Sequence, residues 1–125
     1  MANVINSDIF IDALRGQIAA KEVLKYLSTQ KEVFYSTISV AEVLSSRACD
    51  DQKIRESTFK IFSVFEGVPV DDLIVQKAAY FRRRYGLLLP DAIIAATASQ
   101  LKSDLLVANP KDFGKVREIK VKSPY

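Results

Sequence analysis

Short β-rich apolar runs alternate with longer stretches of helical periodicity along this chain, and that alternation restricts the fold more than any other feature. The strand candidates are Val4-Ile5, Val33-Phe34-Tyr35, Val68-Pro69-Val70, Leu105-Leu106-Val107 and Glu118-Ile119-Lys120-Val121. Between them lie segments with apolar residues three and four apart, the spacing of one helix face. Ile9 to Leu14 forms the first, with Gly16 as its stop, and Ile18, Val23, Leu24 and Leu27 carry the second to about Ser28. Ser39 is a good N-cap for a helix from Val40 to about Ala48, which puts Glu42 at its third position. Ile54, Thr58, Phe59, Phe62 and Phe65 define another, ended by Gly67. Asp71-Asp72 cap a helix running to Tyr85-Gly86, and Pro90 opens one from Asp91 to about Lys102.

Strands separated by helices pair in parallel through right-handed crossovers. The expectation is an α/β chain, one domain over residues 1–125, with a parallel sheet of four to five short strands flanked by helices. A chain of 125 residues suits a single core. In such sheets ligands bind at the carboxyl ends of the strands, near the switch in strand order. That edge is where functional residues are to be sought.

Histidine is absent, which removes Ser-His-Asp and Cys-His catalysis and histidine acid–base chemistry. With Cys49 as the one cysteine, neither an internal disulfide nor a zinc site is expected. The chemistry left belongs to carboxylates, hydroxyls, lysine and arginine, and carboxylates favour a hard cation, Mg²⁺ or Mn²⁺. Eighteen basic against fifteen acidic residues give a net charge of +3, which permits a polyanionic partner without requiring one. The apolar runs are too short for a membrane span, and the start Met1-Ala2-Asn3 lacks the basic segment of a signal peptide, so a cytoplasmic location is expected.

Polar clusters fall where the rule directs attention. Asn6-Ser7-Asp8 follows the first strand, Glu42 opens the helix after the second, Asp91 sits in the first turn behind Pro90, and Asn109-Pro110-Lys111-Asp112-Phe113 follows the strand at Leu105–Val107. Each also has a purely structural reading. Asp91 can be a charge favoured by the helix dipole, Glu42 half of a capping box, and Asp112 an Asx-type turn residue.

Four stretches carry a resemblance: residues 4–12 with Leu14-Arg15-Gly16, residues 36–44 (STISVAEVL), residues 89–98 (LPDAIIAATA) and residues 106–113 (LVANPKDF). In this order and at this spacing they resemble the PIN-domain family, more narrowly the VapC-type toxins of bacterial toxin–antitoxin pairs. The resemblance implies an endoribonuclease whose acidic quartet holds Mg²⁺ or Mn²⁺; by position the quartet is Asn6, Glu42, Asp91 and Asp112. Ser7 and Asn109 match polar positions beside the metal, where they would orient ligands or water. Arg15 and Lys111 stand as candidate contacts to the RNA backbone. Lys115, Arg117, Lys120 and Lys122 add positive charge nearby, whereas Arg82-Arg83-Arg84 suit a helix end as well as a phosphate. The family also implies a homodimer and a cognate antitoxin, received in the helical region around Phe59, Phe62 and Phe65, residues that core packing would equally explain.

One position departs from the pattern, because Asn6 stands where the family has aspartate. An amide is nearly isosteric with a carboxylate but uncharged, and so a poorer ligand for a hard dication. An inactivated or weakened form is the expectation. It would arise from a deliberate replacement that silences a toxic activity or from a naturally inactive copy, unless Asp8 takes over the charge; a helix beginning there turns Asp8 away from residue 6. Two other classes remain: a PIN-like module that only binds RNA or antitoxin, and a phosphoryl-transfer domain. The second lacks a leading aspartate nucleophile.

Overall fold

Val4 and Ile5 are adjacent and both wholly buried, yet they pack into different cores. They belong to the central strand of a sheet covered on both faces, and side chains along a strand alternate between those faces. The computed structural model describes residues 2–125; Met1, part of the start expected to lack a signal peptide, lies outside the described residues. The strands are β1 (Asn3–Ile5), β2 (Val33–Ser36), β3 (Glu66–Val68), β4 (Asp104–Leu106) and β5 (Lys120–Lys122). All pairings are parallel, in the order β3-β2-β1-β4-β5. The chain moves outward from β1 to β3, then returns across β1 to lay down β4 and β5. The switch point therefore lies between the carboxyl ends of β1 and β4.

The helices are α1 (Ser7–Leu14), α2 (Ile18–Leu27), α3 (Thr37–Leu44), α4 (Gln52–Ser63), α5 (Asp72–Tyr85) and α6 (Leu89–Gln100), with 3₁₀ turns at Arg47–Asp50 and Pro110–Phe113. One face of the sheet is covered by α5 and α6, through Val4, Phe81, Ile94, Leu105 and Phe113. The other is covered by α1, α2 and α4, through Ile5, Phe10, Leu24, Phe62 and Leu106. α6 is apolar nearly all round and buries six of its residues from Ala92 to Ala98. A helix of that kind belongs inside rather than at the surface, and its Pro90 sits in the first turn, where the missing N–H has no partner to lose. Gly86 ends α5 in the left-handed conformation (φ 69°), as a glycine behind a helix commonly does.

The expected α/β sheet between helices is therefore present, but several element boundaries differ. α3 begins at Thr37, not Val40. Ser36, at the end of β2, is extended, and its hydroxyl accepts from the Ile38 N–H at 3.2 Å, so the cap belongs to Ser36 and Ser39 falls inside the helix. α1 begins at Ser7 directly behind Asn6. β3 is Glu66–Val68 rather than residues 68–70, and Gly67 is within the strand rather than a helix stop. A Cβ at Gly67 would come within 2.9 Å of the end of the Tyr35 ring, so a larger residue there would have to push that ring aside, and Pro69, with no N–H to donate, does not extend the ladder. Of the phenylalanine stripe, Phe62 is buried and stacks among Phe10 and Tyr35, while Phe59 is half exposed. No helix among the described residues is long and apolar enough to cross a membrane.

Candidate metal centre

Asn6 ends β1 and is tied to β4, its N–H donating to the Leu106 carbonyl at 2.8 Å. It occupies the N-cap position of α1, where an asparagine side chain ordinarily accepts a helix N–H, yet it makes no such bond. The side chain is 5% exposed, and Oδ1 has no hydrogen-bond partner among the described residues. A buried acceptor left without a donor costs free energy on the order of 1–3 kcal/mol, and such an atom invites a ligand.

Ser7 and Ser39, both buried, meet with 2.7 Å between their hydroxyl oxygens. Ser7 Oγ also donates to Glu42 Oε1 at 2.6 Å. Glu42 lies in the second turn of α3, because the helix starts at Thr37, and this corrects its expected place in the first turn. The displacement disposes of the capping-box reading: the Glu42 carboxylate accepts a hydrogen bond from Ser7 on α1, 35 residues away, rather than reaching back to its own helix end.

Asp91 stands in the first turn of α6. Its carboxyl is pushed up to about 6, first by burial and then by the negative charges of Asp112, Glu42 and Asp8. The helix dipole favours an anion at this position, so the raised value means that burial and the neighbouring acids together work against the dipole. Side chains from α1, α3 and the turn after β4 thus act on one carboxyl of α6. Asp112 is exposed in the turn Pro110–Phe113, held from below by buried Phe113. Asp12, one turn beyond Asp8, is engaged elsewhere and accepts from the Tyr125 hydroxyl at 2.7 Å.

Asn109 comes to the site through its backbone, whose N–H donates to Asp8 Oδ2 at 3.0 Å, as the Ala108 N–H does to both Asp8 oxygens at 3.0 Å. Nothing in the sequence assigned this part to Asp8. Ser39 was likewise read as a cap rather than as a partner of Ser7. Arg15 lines, with Glu42, a groove of about 570 Å³ between α1, α3 and α4. Lys111 is exposed beside Asp112. Arg82 is used within its own fold, donating to the Leu87 carbonyl at 2.8 Å behind α5.

The donor set is hard oxygen throughout, and with the orphaned Asn6 Oδ1 it suits a divalent cation such as Mg²⁺ or Mn²⁺ by chemistry. Among the described residues, however, no three acidic side chains close around one point tightly enough to hold a metal as they stand. Carboxylates of like charge repel one another and have no reason to draw together without a cation.

The chain matches the PIN domain over residues 4–119. It belongs to the PIN-domain family. Within that family it is 26% identical over 122 residues to Ribonuclease VapC10 of Mycobacterium tuberculosis, an alignment covering 94% of this chain and 90% of the relative. It superimposes on a chain of a toxin–antitoxin complex from Klebsiella pneumoniae with a TM-score of 0.83 at 28% identity, covering 99% of this chain and 98% of the other. A chain of the DNA-bound VapBC from Salmonella typhimurium gives the same TM-score at 13% identity, over 100% and 99% of the two chains, a likeness of fold. The resemblance to PIN-domain, VapC-type proteins is thereby borne out, and with it the single α/β architecture of the PIN domain.

Proposed function

We propose that this PIN-domain chain is a VapC-like toxin ribonuclease, which cuts RNA with the help of Mg²⁺ or Mn²⁺ and is held in check by a cognate antitoxin. The observation that carries this reading is the raised carboxyl of Asp91, on which the charges of Asp112, Glu42 and Asp8 converge, together with a buried, unpartnered oxygen on Asn6, directly before α1. The similarity to a VapC ribonuclease and to toxin–antitoxin complexes supports it. Asn6, Glu42, Asp91 and Asp112 would hold the cation, whose positive charge would acidify a water and offset the charge of the attacked phosphate. Ser7 keeps the Glu42 carboxylate oriented, Asp91 must give up its proton to take part, and Arg15 and Lys111 would contact the RNA backbone.

Asn6 supplies an oxygen without a charge, so the chain as it stands is a weakened nuclease. RNA cleavage by this chain and by Asn6→Asp, each with Mg²⁺ and with chelator, tests the proposal. The aspartate form is expected to cleave in a metal-dependent way and the asparagine form at least 100-fold more slowly, on the order of the loss seen when charge stabilisation is removed from an active site. No metal-dependent cleavage by the aspartate form would overturn it.

The antitoxin has room on the α2–α4 side. An apolar groove of about 360 Å³ lies between these helices, lined by Ala13, Leu24, Ile61, Val64 and Phe65 and bordered by Lys21 and Lys25. A homodimer and a cytoplasmic location complete the proposal. A second reading, a module that binds RNA or antitoxin without cleaving, is favoured by Asn6 itself. Metal titration separates the two, since the module would bind no Mn²⁺ in either residue-6 form.

A further inference from the structure

Asp8 is the carboxylate that sequence reasoning offers as a substitute for the charge missing at Asn6, and its hydrogen bonds give it a different task. Both of its oxygens are engaged by backbone N–H groups one hundred residues away: Ala108 with Oδ1 and Oδ2, and Asn109 with Oδ2, all at 3.0 Å. A carboxylate held by two backbone N–H groups, one of them shared between both oxygens, is fixed in orientation, and those charge-assisted bonds commit both oxygens to the backbone. The two groups also span the switch point, since Asp8 lies in the first turn of α1 behind β1 and Ala108-Asn109 begin the segment behind β4. The segment continues into the turn Pro110–Phe113, and Asp112 lies within it.

The geometry points to Asp8 as a positioning residue: it clamps the start of the post-β4 segment onto α1 and so sets where Asp112 faces Asp91. Phe113, 1% exposed, anchors the far end of the same segment in the α5–α6 core. Asp112 is suspended between a polar anchor on one side and an apolar anchor on the other. Asp8 charges the site only at second hand, through the field it adds at Asp91. This inference rests on the proposed function for its catalytic meaning, while the clamp itself does not depend on it.

The test compares Asp8→Ala and Asp8→Asn, each in the chain as it stands and in the Asn6→Asp form. Hydrogen exchange and backbone NMR on the metal-free protein read the clamp. In Asp8→Ala the amides of Ala108 and Asn109 should exchange at least tenfold faster, and the signals of residues 109–112 should show increased mobility while Phe113 stays ordered. Asp8→Asn keeps one acceptor oxygen and should fall between, and it serves if the alanine form folds poorly. In the Asn6→Asp form, Mn²⁺ affinity should fall about tenfold in Asp8→Ala and be partly restored in Asp8→Asn, the range for residues that orient metal ligands. Amides 108 and 109 as protected in Asp8→Ala as in the parent would overturn the clamp. Weakened Mn²⁺ binding with unchanged exchange would make Asp8 a ligand instead and also overturn it. If Asn6→Asp binds no Mn²⁺ at all, the nuclease reading fails, and the exchange and mobility data still decide whether Asp8 positions the segment.

Discussion

Ser7 on α1 donates its hydroxyl to Glu42 on α3 at 2.6 Å, a contact that joins the helices following two neighbouring strands. Removing it in Ser7→Ala frees the Glu42 carboxylate to rotate and leaves Ser39 without its partner. In the Asn6→Asp form we expect Mn²⁺ affinity to drop 10- to 100-fold, with folding stability changed by about 1 kcal/mol. Ser7→Thr retains the hydroxyl and should behave nearly as the parent. Calorimetric Mn²⁺ titration with thermal unfolding of the same samples checks both statements.

Asp91 makes the site pH-dependent. Its carboxyl is raised from 3.8 to about 6, so the folded protein holds this proton over a range in which the unfolded chain has lost it. The favourable contribution to stability is full below the unfolded value and is lost as pH rises through about 6. Asp91→Asn should therefore raise the Tm near pH 8 and leave it nearly unchanged near pH 4, while abolishing metal-dependent cleavage. Cation binding requires the deprotonated acid, and Mn²⁺ affinity should weaken by about tenfold per pH unit below about 6.

Asn6→Asp puts a charge into a position 5% exposed, two residues before Asp8, one of the acids that act on Asp91. Without metal this should cost about 1–3 kcal/mol of stability, the penalty of an uncompensated buried polar group. Mg²⁺ should reverse the loss, by about 2.7 kcal/mol at a hundredfold excess over its Kd. The asparagine form should respond far less. Thermal unfolding with and without Mg²⁺ measures both, and equal responses would remove residue 6 from the cation site.

Phe62 and Phe59 share a helix and part company in the fold. Phe62 is 3% exposed, with ring centroids 4.5 Å from Phe10 and 4.7 Å from Tyr35. Phe62→Ala should destabilise by about 3–5 kcal/mol. Phe59 is 52% exposed, and Phe59→Ser should lie within about 0.5 kcal/mol of the parent, as surface changes do. Urea unfolding of the two variants tests the assignment.

The kinds and order of the elements were legible because they are written in local chemistry. Asp71 caps α5, Gly86 ends it and Pro90 starts α6, each acting on residues within one helical turn. The polar clusters behind strand ends and at helix starts were legible for a related reason, and the resemblance to the PIN-domain family picked the quartet out of them. Asn6, Glu42, Asp91 and Asp112 could be named with no knowledge of how far apart they sit.

What the tertiary structure alone decided are matters of distance across the chain. Ser36 rather than Ser39 caps α3 because β2 pairs in a register that keeps Ser36 extended and buried, and Glu42 is thereby carried a turn further on to meet Ser7. Phe59 and Phe62 obey the same periodicity, and only the packing of α4 against the sheet says which is covered. Asp8 looked like spare charge until the return of the chain across β1 set Ala108 and Asn109 against it. Sequence fixes what a residue can do within a few neighbours, where covalent geometry limits the choices. Which of two chemically equal side chains meets a partner a hundred residues away depends on how whole elements pack.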